Sequence, residues 1–360
     1  SQCGLFATSK VLRRLSVPFT YVINSRVDSP VFERGFKDFL GVASAANAFL
    51  GARIGQVDTR PAPFWTVMVN EGELLERWGV QVVPITLVDV EREVKRRVAA
   101  PDATLKEAVA KMRAAADLSR LAEDAVLRLA ALKVTLGAWA ERERLDALAV
   151  QCWDAMQQAV GLYPCFVHAV LTDEGLPVAC ETDIHGALTS ILLQAAARYT
   201  APTFFADLTV RHPEDENAEL LWHCGSFPPS LADAEPSPCV STNFMAKNDC
   251  PGCCQWRIKG GDVTLARLDG DHGQYSLLVG QACGTSGPPT RGTYLWVRVG
   301  DWPRWEQRLI YGPYVHHIVG VHGRLAPVLV EACKYIPGLA PDPVEPDAEQ
   351  VAAYWRGQGA

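Results

Sequence analysis

The sequence predicts an α/β protein, a Rossmann-like parallel α/β layer followed by a mainly β C-terminal domain, and three observations carry that expectation. Between residues 52 and 85 the chain runs strand, polar loop, helix, strand, the signature of a parallel layer. Residues 103–160 are rich in Ala, Leu, Glu and Arg, with apolar residues at three- and four-residue spacing, which reads as helix. From residue 201 short apolar runs alternate with Gly, Pro and Asp loops, and helical stretches become few.

Taken in order, residues 1–50 read as a helix, a short strand over 19–23 and a longer helix from about Ser29. That is one and a half βα units, too little to close a domain. The opening Ser1-Gln2-Cys3-Gly4 reads as mid-domain sequence, so 1–50 is expected to be the remnant of an N-terminal α/β domain. A central Rossmann-like domain over 51–200 begins with a strand at 52–57, the loop 58–64, a helix around 71–78 and a strand over 80–85. Asp102 or Thr104, with Glu107 three residues after Thr104, fits a helix start. A short buried strand over 177–181 ends on the carboxylate of Glu181, and Asp183 is placed to cap the apolar helix that follows, 184–198. The mainly β domain, 201–345, carries strands over 203–208, 220–223, 263–268, 275–279 and 294–297 and a helix near 326–334. A Pro/Asp/Glu-rich tail, 346–360, closes the chain.

Composition narrows the function. Hydrophobic residues make up 48% and charged residues 21%, ordinary usage, and the net charge of -7 is spread without a block of like charge. Nothing here points to nucleic acid or an anionic membrane. No apolar run reaches the roughly 18–20 residues needed to span a bilayer, and a cytoplasmic protein is the expectation. Eleven cysteines, an odd number with several inside apolar patterns, suit a reducing compartment.

Polar residues stand out where they end apolar runs: Glu181, Asp207 and His223, with the pair His316 and His317 beside another. In α/β layers, side chains at strand ends converge on the crevice where ligands bind. Carboxylates with imidazole suit Mn²⁺, Mg²⁺ or a similar ion. Each also has an ordinary reading as a cap or loop residue, and His168, His212 and His272 read as surface or hydrogen-bonded filler. Adjacent histidines in a strand face opposite ways, so at most one of His316 and His317 is expected in the site. Cys250-Pro251-Gly252-Cys253-Cys254 offers a single C-x-x-C where a structural zinc site wants two, and it reads as a loop with unpaired thiols.

Several ordered motifs resemble the L-fucose isomerase and L-arabinose isomerase family. They are Gln151-Cys152-Trp153, Pro164-Cys165-Phe166, Cys180-Glu181-Thr182-Asp183-Ile184-His185-Gly186, Phe204-Phe205-Ala206-Asp207, Trp222-His223-Cys224-Gly225, the run from Gly261 to Leu268, and His316-His317 before Gly323. The resemblance spans roughly 50–340. It implies an aldose–ketose isomerase working at a divalent metal, Mn²⁺, with Glu181, Asp207 and His317 as ligands. His317 is preferred to His316 because its distance to Gly323 matches the family's histidine. It implies proton transfer through a cis-enediol, with Glu181 and Asp207 catalytic. His223 and His316 become further metal or sugar contacts, and Arg60, Phe64 and Trp222 candidates to line the cleft. It also implies a sugar substrate and a homo-oligomer, a trimer or hexamer. The alternative is a non-catalytic sugar-binding or regulatory relative of the same fold.

Overall fold

A computed structural model describes residues 2–244 and 249–358, so Ser1 and the last two residues of the expected tail lie outside the described residues. Helices α1 (Gln2–Arg14) and α2 (Pro30–Phe49) come first. Ser29 caps α2, its side chain accepting the N–H of Phe32. Residues 19–23 are irregular rather than a strand. Their β-branched and aromatic composition supplies propensity, but no strand among the described residues pairs with them.

The next elements are β1 (Arg53–Val57), α3 (Glu71–Trp78), β2 (Gln81–Ile85), α4 (Leu87–Ala99), α5 (Ala103–Ala115) and α6 (Glu123–Glu143). After these come β3 (Ala147–Val150), α7 (Ala155–Val160), α8 (Cys165–Asp173), β4 (Val178–Cys180) and α9 (Ile184–Ala196). Strands β2-β1-β3-β4 form a parallel sheet in that order. Strand β3 corrects the expectation of continuous helix over 103–160. Its four residues are all buried, and a short, wholly apolar run cannot be told from buried helix by periodicity.

The second sheet is built from β5 (Thr203–Arg211), β6 (Ala218–His223), β7 (Cys239–Thr242), β8 (Pro251–Arg257), β9 (Asp262–Asp271), β10 (Gln274–Thr285), β11 (Thr293–Arg298), β12 (His317–His322) and β13 (Leu339–Glu345). Its order is β13-β10-β9-β12-β5-β6-β11-β8-β7, and β10 also pairs with β11. That extra pairing joins β10, β9, β12, β5, β6 and β11 into a closed antiparallel ring, with β13 added to β10 and β8–β7 added to β11 as outer strands. Cys253 and Cys254 lie in β8 and are buried, so the segment from Pro251 to Cys254 is strand and not loop, with Cys250 just before it. Its alternation was hidden by Pro251 and Gly252, which read as turn signals.

Helices α10 (Trp302–Tyr311), α11 (Ala326–Ala332) and α12 (Ala348–Trp355) complete the fold. The expected tail therefore contains a helix, opened by a capping box between Asp347 and Gln350. Helix α9 is the element that sets the site. All thirteen of its residues are buried, as expected of a helix apolar all round. It packs on α2, on β3 and β4 of the parallel sheet, and on β5, β9 and β12 of the ring. Leu188, Ile191, Leu192 and Leu193 each contribute roughly 1.5–3 kcal/mol by leaving water. Both sheets are thereby pinned against one helix, whose N-terminus begins at Asp183.

Candidate metal and active site

Strand register brings the first two groups together. Asp207 on β5 is the cross-strand partner of His317, the first residue of β12. The third group comes from the other sheet. Glu181 follows β4 directly, and it and Thr182 both take left-handed backbone, with φ of 61° and 58°. Non-glycine residues there cost on the order of 1–3 kcal/mol each and persist where the surroundings fix them. Here Thr182 Oγ1 donates to the carbonyl of Thr59 at 3.2 Å, and the tight turn aims Glu181 at the ring.

His317 Nε2 lies 2.9 Å from Oε2 of Glu181 and 3.7 Å from Oδ1 of Asp207. His316 Nε2 is 3.9 Å from the same Asp207 oxygen. One ligand atom each from Asp207, His316 and His317 falls within 4.8 Å of the others. Both histidines thus approach one carboxylate, contrary to the expectation of opposite faces. His316 precedes the first ladder residue of β12, so strand alternation does not govern it. The two differ in setting: His317 is fully buried, whereas the His316 side chain is 46% exposed.

The donor set fits a divalent cation. Asp207 Oδ1 and His223 Nε2 are buried with no hydrogen-bond partner, and His317 Nε2 meets the Glu181 carboxylate at 2.9 Å. Orphaned buried polar atoms are costly unless something satisfies them. The electrostatics agree. Burial alone would lower the His317 pKa, but Asp183 and Glu181 beside it, with the Asp207 charge, hold it up to about 10. His223 is likewise desolvated, yet the nearby Cys224 and Asp207 raise it to about 9. Glu181 stays below its ordinary range: burial opposes ionisation, and the His317 imidazole overcomes it. Carboxylates crowded around buried imidazoles make a pocket that favours positive charge, whether a proton or a cation. His316, less buried and beside His317, is lowered instead by desolvation and by that neighbour's charge.

Other side chains shape the surroundings. Trp153 Nε1 donates to Glu181 Oε1 at 2.9 Å. Phe64 stacks near His317, with ring centroids 6.2 Å apart, and meets Trp153 edge-on at 5.4 Å. Phe205 packs on His317 and His223 at 4.9 and 5.7 Å. Of the expected cleft residues, Phe64 is therefore at the site. Arg60 donates to the carbonyls of Pro61 and Ala62 within its own loop. Trp222 stacks on His223, and its indole N–H is taken by the carbonyl of Arg291 at 2.5 Å.

A buried charged network behind His317 was missed in the sequence. Asp183 Oδ2 is 2.8 Å from His317 Nδ1, Arg267 grips both Asp183 and Asp269, and His185 Nδ1 is 3.0 Å from Asp269 Oδ1. Arg267 and Asp269 are two residues apart in an apolar strand, hence on one face. That spacing is the signal by which they could have been found.

No protein-family model matches the chain. Curated relatives do. It is 28% identical over 335 residues to proteins named sulfoquinovose isomerase from Priestia aryabhattai and Priestia megaterium, a span covering 92% of this chain and 73% of each relative. A protein of the same name from Alkalicoccus urumqiensis is 29% identical over 286 residues, 78% of this chain and 61% of that protein. Similarity to proteins of this name across nine-tenths of the chain supports a sugar isomerase.

Proposed function

We propose that this chain is a metal-dependent aldose–ketose isomerase in which Glu181, Asp207 and His317 hold a divalent ion, Mn²⁺, and Glu181 moves the proton. The observation that carries the reading is the convergence of Glu181 Oε2 and Asp207 Oδ1 on Nε2 of one buried histidine. The ion would supply Lewis-acid stabilisation of charge developing on the sugar oxygens. Glu181 takes a proton from one of the two reacting carbons and returns it to the other, so that aldose and ketose interconvert through a cis-enediol. Asp207 assists at the hydroxyl oxygens. Phe64 and Trp153 wall one side of the site. His223 and His316 are further contacts for ion or sugar, with Arg60 and Trp222 farther out.

The relatives' name makes sulfoquinovose the first substrate to test, and the motif resemblance adds L-fucose and L-arabinose. On the same reading the protein is a cytoplasmic homo-oligomer, a trimer or hexamer, with a central domain over 51–200 and a C-terminal domain over 201–345. No helix among the described residues is long and apolar enough to cross a membrane. The test is Mn²⁺-dependent ketose formation from these aldoses, with wild-type protein and Glu181→Gln. Turnover that Glu181→Gln abolishes is the expected result. Sugar binding without ketose from any aldose would leave a non-catalytic binding protein.

A further inference from the structure

Asp183 uses its two carboxylate oxygens for different tasks. Oδ1 accepts the N–H of Gly186 at 2.8 Å, capping α9. Oδ2 lies 2.8 Å from Nδ1 of His317. A helix cap alone would need neither the second oxygen nor a partner for it. Yet Arg267, itself fully buried, reaches both oxygens of Asp183 and is held in turn by two contacts to Asp269, at 2.8 and 3.0 Å. The carboxylate is fixed from three sides: the helix start, the guanidinium and the imidazole.

We infer that Asp183 is a positioning residue for the metal centre: it accepts the N–H of His317 Nδ1 and thereby presents Nε2, without a proton, to the ion. The inference rests on the proposed metal site and concerns how one ligand is prepared. An imidazole ligates through a nitrogen that carries no proton, and which nitrogen is bare depends on the hydrogen bond made by the other. With Arg267 clamping it, Asp183 can only accept, so Nδ1 must donate. Chain order couples the parts. Glu181 and Asp183 flank one turn at the start of α9, so the segment that delivers one ligand also orients another.

Asn at position 183 separates capping from positioning. Its single oxygen can cap α9, but its NH₂ group then faces Nδ1, which must accept, and the proton moves to Nε2. Mn²⁺ binding to the full chain without sugar, measured by calorimetry, should weaken about 10–100-fold in Asp183→Asn. In a His317→Gln background the same substitution should add nothing, because the ligand it acts through is gone. Binding within twofold of wild type in Asp183→Asn, with His317→Gln clearly weakened, overturns the positioning role alone. An equal loss in both backgrounds also overturns it, since the effect then bypasses His317. Unchanged binding in His317→Gln overturns the metal-site reading, and the inference with it.

Wild-type protein gives a measurement independent of how variants fold. With diamagnetic Mg²⁺ bound, imidazole ¹⁵N spectra should show His317 protonated at Nδ1 and bare at Nε2. The reverse tautomer overturns the inference.

Discussion

Trp153 donates its indole N–H to one oxygen of Glu181 at 2.9 Å, while the other oxygen stands 2.9 Å from Nε2 of His317. The carboxylate is thus held at both ends, and its two oxygens are distinguished. A hydrogen bond to a charged group is worth about 1.5–3 kcal/mol. Trp153→Phe keeps an aromatic ring beside Phe64 but loses the donor. Ketose formation should fall about tenfold or more in kcat with a small change in KM, because positioning is lost rather than sugar contacts. An unchanged kcat would show that Trp153 only packs.

The buried polar atoms without partners give a second expectation, for ligand-linked stability. An ion that binds only the folded chain stabilises it by about 2.7 kcal/mol at a hundredfold excess over Kd. Thermal unfolding with Mn²⁺ should therefore occur at higher temperature than with EDTA. Asp207→Asn should erase most of that difference, because Asp207 Oδ1 is one of the buried atoms lacking a partner. A shift of equal size in Asp207→Asn would place the ion elsewhere.

How much of this was legible in the sequence depended on the range of each contact. Glu181 and Asp207 were visible because each ends an apolar run, and strand ends are where α/β folds place ligands. The register pairing Asp207 with His317 joins residues 110 positions apart through sheet closure, and no local pattern encodes it. Asp183 was read as a cap, which it is, but its second oxygen serves a histidine 134 residues away. Strand β3 and the β8 cysteines were misread for opposite reasons: one is too uniformly apolar to show a period, the other is interrupted by turn residues. The expectation for His316 failed because strand alternation holds only inside a ladder, and the ladder begins at His317.

Packing under the site yields a third expectation. A Cβ on Gly186 would lie 2.5 Å from the Phe205 ring and 2.8 Å from Oδ2 of Asp183. Alanine gains up to about 1 kcal/mol over glycine inside a helix. Overpacking a fixed core costs about 1–3 kcal/mol, and here both neighbours are held by other contacts, so the cost should win. Gly186→Ala should lower the free energy of urea unfolding by about 1–2 kcal/mol. It should also weaken Mn²⁺ binding, since Phe205 and Asp183 both touch His317. A stabilised variant with normal binding would mean that this region yields easily.

His168 supplies the pH dependence. It is fully buried on α8, with Nδ1 3.2 Å from the Cys180 sulfur and Nε2 without a partner. Burial, with a smaller contribution from the charge on His223, lowers its pKa from 6.5 to about 3. Above pH 6.5 the group is neutral in both states, so its contribution to stability is complete there. As pH falls below 6.5 the unfolded chain takes up a proton that the native chain refuses, and stability drops by about 1.4 kcal/mol per pH unit down to about pH 3. The other titrating groups are common to wild type and His168→Leu, so the difference between the two proteins isolates this one. Urea unfolding at pH 7.5 and pH 5 should show that difference shifting in favour of His168→Leu by about 2 kcal/mol at the lower pH. A difference independent of pH over that interval would mean that His168 is protonated in the folded protein, and that the interior behind the site accommodates a charge.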